Sequence, residues 1–174
     1  MMSLAGAVSP WHDFYMLVGT ASATLVGLLF VAASVGSGVY TKDKHPALRL
    51  FLSPSVFHFT SVLAACLIAI APIRDWMLLG LLIGGEGLFG IAYAGLVWRK
   101  MVRHGFTATI NLEDRIWYAP LPAVGYAIMA ASGAALLLQR PDSCGWIALA
   151  MGVLLLVGIR NAWDMTLWTV TRRE

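Results

Sequence analysis

Between Trp76 and Trp98 the chain is apolar throughout, and Glu86 is the one charged residue in the stretch. A run of this kind crosses a hydrocarbon core of about 30 Å as a helix. Further runs match it: Phe14 to Tyr40, Phe51 to Ile73, Trp117 to Leu138, and Trp146 into the Trp163–Trp168 region. Lipid offers no water to a backbone N–H or C=O, so each run must close its own hydrogen bonds as a helix. Composition points the same way, with 59% hydrophobic and 12% charged residues, against about 25% charged in soluble domains. The expectation is an all-α integral membrane protein. It is a single five-span domain over residues 1–174, and the lipid bilayer is its first partner.

Tryptophan and basic residues set the borders and the orientation. Trp11, Trp76 and Trp146 open the first, third and fifth spans, Trp98 closes the third, Trp117 opens the fourth, and Trp163 and Trp168 end the fifth. Indoles favour the headgroup level, so these residues read as two aromatic belts. Lys42, Lys44, Arg49, Arg99, Lys100, Arg103, Arg115, Arg172 and Arg173 fall on one side, and only Arg74 and Arg140 on the other. The positive-inside rule then places the N-terminus outside and the C-terminus in the cytoplasm. The expected location is the inner (plasma) membrane of a prokaryote, multi-pass. The net charge of +3 follows from these loop residues and implies no nucleic-acid partner. The first apolar run has no preceding Lys or Arg and is too long for a signal peptide.

Local punctuation refines the spans. Ser9-Pro10 predicts a helix start ahead of Phe14, with Asp13 near the first turn. Asn111, Glu113 and Asp114 predict a short interfacial lead into the fourth span. Pro54 kinks the second span, Pro120 and Pro122 loosen the start of the fourth, and Gly36-Ser37-Gly38 ends the first.

Small residues recur every fourth position: Gly19, Ala23 and Gly27; Gly80 and Gly84; Ala123, Ala127, Ala131 and Ala135; Ala148 and Gly152; Gly158 and Ala162. Such rows let helix backbones approach closely in lipid. At about 100° per residue, Gly80, Gly84, Gly87, Gly90 and Ala94 share one sector of the third span, which should meet another helix. Glu86 lies at that sector's edge, in a crevice beside the contact. With rows on most spans, a homo-oligomer is also expected.

Ionisable residues inside the spans are few. A carboxylate at mid-bilayer costs on the order of 2.5–3.5 kcal/mol, so Glu86 needs a proton, a partner or a polar cavity. His58 should lie roughly 10 Å beyond Phe51, at 1.5 Å per residue. Tyr93 is two turns from Glu86 on the same side and can donate to it. Arg160 and Asp164, spaced i and i+4, can pair. Glu86, His58, Tyr93, Arg160 and Asp164 thus form a candidate intramembrane polar path for protons or cations. The alternative is structural: Glu86 bridging helices in its neutral form, His58 a core residue, and the Arg160–Asp164 pair an interfacial anchor.

Other chemistry is poorly provided for. A bis-histidine haem needs two facing histidines, and only His58 is inside a span; His12, His45 and His104 lie at borders or in connections. Gly-x-Ser-x-Gly and His-Glu-x-x-His are both missing. Cys66 and Cys144 form neither a metal spacing nor a redox motif. The chain reads as non-enzymatic, with no metal and no cofactor.

Trp11-His12-Asp13-Phe14-Tyr15 with the Gly19–Ala32 stretch, and Arg160-Asn161-Ala162-Trp163-Asp164 near the end, resemble segments of small prokaryotic multi-span membrane proteins. Some of that family carry a provisional label as modulators of a membrane-bound ATP-dependent protease. The resemblance covers about a quarter of the chain and implies no catalytic residues. Two functions follow as expectations. The first is a homo-oligomeric channel or transporter-like protein with a Glu/His proton or cation path. The other is a non-catalytic accessory subunit or modulator of a larger membrane complex.

Overall fold

The computed structural model describes the backbone at residues 3–36, 45–103 and 112–171, and side chains at 3–34, 54–103 and 115–164. These residues are helical, with no strand among them. Helix α1 (Leu4–Val8) leads through a 3₁₀ turn (Ser9–Trp11) into α2 (His12–Gly36). Then come α3 (His45–Ile70), α4 (Trp76–Arg103), α5 (Leu112–Tyr118), α6 (Pro120–Leu137) and α7 (Ser143–Thr171). Among the described residues, four stretches are long and apolar enough to cross a membrane: Leu4–Ser34, Trp76–Arg103, Arg115–Leu137 and Ser143–Asp164. Helix α3 runs 26 residues, and the part of it with described side chains, Pro54–Ile70, is also apolar. The class defined is an all-helical membrane protein.

The helix ends follow from local chemistry. The Ser3 hydroxyl accepts from the Gly6 N–H at 3.2 Å and starts α1. Ser9 and Pro10 form a turn, and α2 begins at His12, ahead of Phe14. Asp75, which the sequence reading passed over, caps α4: its carboxylate accepts from the N–H groups of Met77 at 3.0 Å and Leu78 at 3.3 Å. The lead into the fourth span is the separate helix α5, broken from α6 at Ala119 just ahead of Pro120. Proline at the first helical position lacks only an N–H that would be unpaired anyway. Between α6 and α7, Gln139 takes a left-handed conformation at φ 55, and the Ser143 hydroxyl donates to the Arg140 carbonyl at 2.6 Å. Ser37, Gly38, Lys42, Lys44, His104, Asn111, Arg172 and Arg173 lie outside the described residues, as do the side chains of His45, Arg49, Glu113 and Asp114.

The most extensive contact is α4 on α6, and α3 packs against α2, α7 and, more lightly, α4. The α4–α6 seam explains the glycines of α4. A methyl at Gly87 would lie 2.4 Å from the Ala130 nitrogen, and one at Gly90 would lie 2.1 Å from the Tyr126 ring. Gly80 and Gly84 face Gly133 across the same seam. The sector expected from spacing is thus the contact face of α4. The alanine row of α6 is not its counterpart: Ala127 and Ala131 are exposed. The true α6 face runs through Tyr126, Ala130 and Gly133. Gly133 allows backbone contact where an alanine methyl would hold the helices apart.

The row on α2 divides. Gly19 meets Cys66 of α3, with a would-be methyl 3.0 Å from the Cys66 Cβ, whereas Gly27 faces open space and Ala23 is exposed. Overpacking a close helix contact costs about 1–3 kcal/mol. Gly87→Ala should therefore lower thermal stability in mild detergent clearly, while Gly85→Ala, with nothing near its Cβ, should leave it unchanged. Equal melting temperatures for the two variants would contradict the seam as described.

Candidate functional site

Polar side chains of α3, α4 and α6 converge where these helices meet. Glu86 lies ten residues into α4 from Trp76, about 15 Å along the axis at 1.5 Å per residue. Its Oε1 accepts from the Ser61 hydroxyl at 2.9 Å, and its Oε2 is buried with no partner. His58, one turn from Ser61 on α3, is fully buried, and its Nδ1 lies 2.9 Å from the Tyr126 hydroxyl. Two hydrogen-bonded pairs, Ser61–Glu86 and His58–Tyr126, thus sit one turn apart along α3. The far ring nitrogen of His58, Nε2, is buried and unpartnered.

Tyr93 takes a different place from the one its spacing suggested. Its ring stacks on Phe57, with centroids 3.7 Å apart and planes 15° from parallel. Phe57 also touches Phe89 and Tyr126 edge-on or tilted. These rings pack beside His58 and Tyr126 of the polar cluster. The aromatic wall keeps the local dielectric low and so strengthens the hydrogen bonds inside it.

Arg160 and Asp164 pair through a charge-assisted hydrogen bond on α7. The Arg160 guanidinium also sits 5.6 Å from the Trp117 ring centroid, within cation–π range. Asn161, fully buried, donates to the Trp117 carbonyl at 3.4 Å, and its Oδ1 has no partner. This group lies apart from the Glu86 cluster, towards the end of α7. The packing residues Gly80, Gly84 and Gly87 border the cluster through the seam. Gly19 lies on the other side of α3, against Cys66, and Ala23 and Gly27 do not reach it.

The sequence reading missed Ser61 and Tyr126. Ser61 follows His58 by three residues on one helix, so both share a face. That signal was available. Tyr126 is a mid-span tyrosine remote from the borders, and only the α4–α6 pairing reveals what its hydroxyl meets.

The arrangement offers exchangeable protons and lone pairs, and little else. Among the described residues, no group of three His, Cys, Asp or Glu side chains could hold a metal ion. No family model, curated protein or solved structure gives a significant match to the chain.

Tyr126→Phe keeps the ring against Gly90 but strips His58 Nδ1 of its partner. Leaving a buried polar group unpaired costs about 1–3 kcal/mol. The variant should lose that much stability, and nitrogen NMR of the imidazole should show loss of the hydrogen bond at Nδ1. An unchanged Nδ1 signal would contradict the contact.

Proposed function

We propose that this protein is a small integral membrane protein that handles protons, with Glu86 as the proton-binding group and Ser61, Tyr126 and His58 as its relay. The observation that carries the reading is the pair of hydrogen bonds, Ser61 to Glu86 and His58 to Tyr126, that one face of α3 makes one turn apart. Five spans with the N-terminus outside, α3 providing the second, accord with the basic-residue asymmetry. In that orientation the Arg160–Asp164 end faces the cytoplasm.

A proton fits the site better than a metal cation. Divalent cations of the calcium type gather six to eight oxygens, and Glu86 stands alone as a carboxylate beside hydroxyls and a ring nitrogen. Proton transfer needs only a chain of donors and acceptors. A proton taken up at His58 Nε2 releases the Nδ1 proton to the Tyr126 oxygen. Ser61 passes its proton to Glu86 Oε1 and, on turning its oxygen toward α6, takes the Tyr126 hydroxyl proton. One proton enters and one is bound by the carboxylate. The imidazole changes tautomer, the hydroxyls reverse direction, and no other bond changes. Purified protein in proteoliposomes should show a proton flux that Glu86→Gln abolishes without loss of folding. No flux in the parent, or an unaltered flux in the variant, sinks the reading.

The accessory-subunit reading has one observation in its favour. The second half of α2 is exposed along most of its surface, including Leu28, Phe30 and Val31, and Gly27 is open to close approach. A second copy of the chain or a larger complex can use that face, in keeping with the resemblance to membrane-protease modulators. Ala23→Cys should then cross-link in native membranes. A product of twice the protomer mass supports a homo-oligomer, and a larger mixed product supports an accessory role. A strictly monomeric pattern argues against both.

A further inference from the structure

The polar atoms without partners are not scattered. Among the described residues, the buried side-chain atoms lacking a hydrogen bond are Ser22 Oγ, Ser55 Oγ, His58 Nε2, Glu86 Oε2 and Asn161 Oδ1. Ser55 and Asn161 are fully buried and His58 nearly so. A buried polar group left unpaired is costly, and native folds provide a protein or water partner for almost all of them.

The helix register places three of these residues at neighbouring levels of the bundle. Phe59 fills the space in front of Gly158, and the Cys66 Sγ lies 3.6 Å from the Met151 Sδ. These contacts fix α3 and α7 as antiparallel neighbours, each step up α3 matching a step back along α7. Asn161 is therefore level with Ser55 and Val56. Ser55 is one turn from Phe59, on the face that meets α7. Asn161 is one turn from Gly158, on the face that meets α3. His58 lies one turn above Ser55, with Nδ1 turned to Tyr126 and Nε2 unpaired. Asn161 in turn adjoins Arg160, Asp164 and Trp117.

Hydroxyls elsewhere in these helices behave differently. Thr20, Thr24, Ser34 and Ser132 each donate to the carbonyl four residues earlier, at 2.7–2.9 Å. Ser55 makes no such bond, so its hydroxyl is left for another partner. It also follows Pro54, which sits inside α3 and removes one helical N–H from the ladder.

We propose that Ser55, Asn161 and His58 Nε2 hold a short file of internal water that connects the Arg160–Asp164 end of the bundle to the Glu86 relay. Internal waters occupy sites where two to four polar atoms converge, and these residues supply them. On the opposite side of Glu86 the buried residues are mainly apolar, Leu79, Ile83, Ala65, Ala69 and Met151, and the buried Ser132 hydroxyl is bound to the Ile128 carbonyl of its own helix. Glu86 accordingly exchanges protons from one side in this conformation. The inference rests on Glu86 as the proton-binding group, and adds the entry route.

Deuterium exchange of the Glu86 carboxyl tests the route without requiring flux. The infrared band of the protonated group, identified by its disappearance in Glu86→Gln, is followed at acid pH after transfer of the full-length protein into D2O. Ser55→Ala and Asn161→Leu should each slow the exchange by about tenfold, the rate equivalent of one lost hydrogen bond in the path. Met151→Leu, a volume-conserving change on the apolar side, should leave it alone. Folded Ser55→Ala protein that exchanges at the parent rate overturns the proposal, even if Asn161→Leu fails to fold. Equal slowing in Met151→Leu overturns it too, since exchange would then report general opening. Slowed exchange without Glu86-dependent flux would remove the conduction reading and leave the entry route standing.

Discussion

The seating of Tyr126 on Gly90 is the contact on which the polar cluster depends. A methyl at Gly90 would lie 2.1 Å from the ring, so any other residue there moves Tyr126 or parts the helices. The ring is fully buried, and its hydroxyl reaches across to α3. Only because α4 and α6 approach backbone to backbone at Gly84 and Gly133 does that hydroxyl come within 2.9 Å of His58. Close packing, the main driving force for helix association in lipid, is thus also what positions the hydrogen bonds.

Polar groups in the bundle have been dealt with in distinct ways. Hydroxyls facing outward fold back onto their own helix, as Thr20 and Thr24 do. The Tyr15 hydroxyl donates to the Cys144 carbonyl at 2.7 Å and ties α2 to the start of α7. The Arg160 and Asp164 charges pair with each other. The Glu86, Ser61, Tyr126 and His58 groups instead use one another while leaving one atom open at each end, Glu86 Oε2 and His58 Nε2. A purely structural bridge has no need of open ends, since each costs desolvation energy without a compensating bond. That asymmetry favours a relay over a strut.

The sequence carried the helices, because in lipid an apolar run leaves the backbone one solution. It also carried the contact face of α4, because glycine spacing at helical period has a direct geometric meaning. It did not carry the partner face of α6. Its alanines share the same spacing, but the closest approaches are made at Ala130 and Gly133, outside that row, and the sequence weighs methyl and hydrogen alike. Within the site, Glu86 and His58 were legible through their cost in hydrocarbon. Tyr93 shared a helix side with Glu86 but was claimed by stacking on Phe57, where two ring faces meet and bury more area than one hydroxyl contact would. Ser61 and Tyr126 carry no such cost, and their roles emerge only from which helices are neighbours.

The seams around Glu86 differ in what movement they permit. The α4–α6 contact is backbone on backbone and cannot open by turning side chains. The α3–α4 contact is the least extensive that α3 makes with α2, α4 and α7, and beside Glu86 it is made by a hydroxyl–carboxylate bond and the Phe57–Tyr93–Phe89 rings. Rings and hydroxyls change rotamer without disturbing a helix axis. The polar cluster therefore sits along the seam most open to rearrangement, braced by the one least so. If Glu86 binds a proton as proposed, passing it on toward the apolar half would require the thin seam to part while the glycine seam holds.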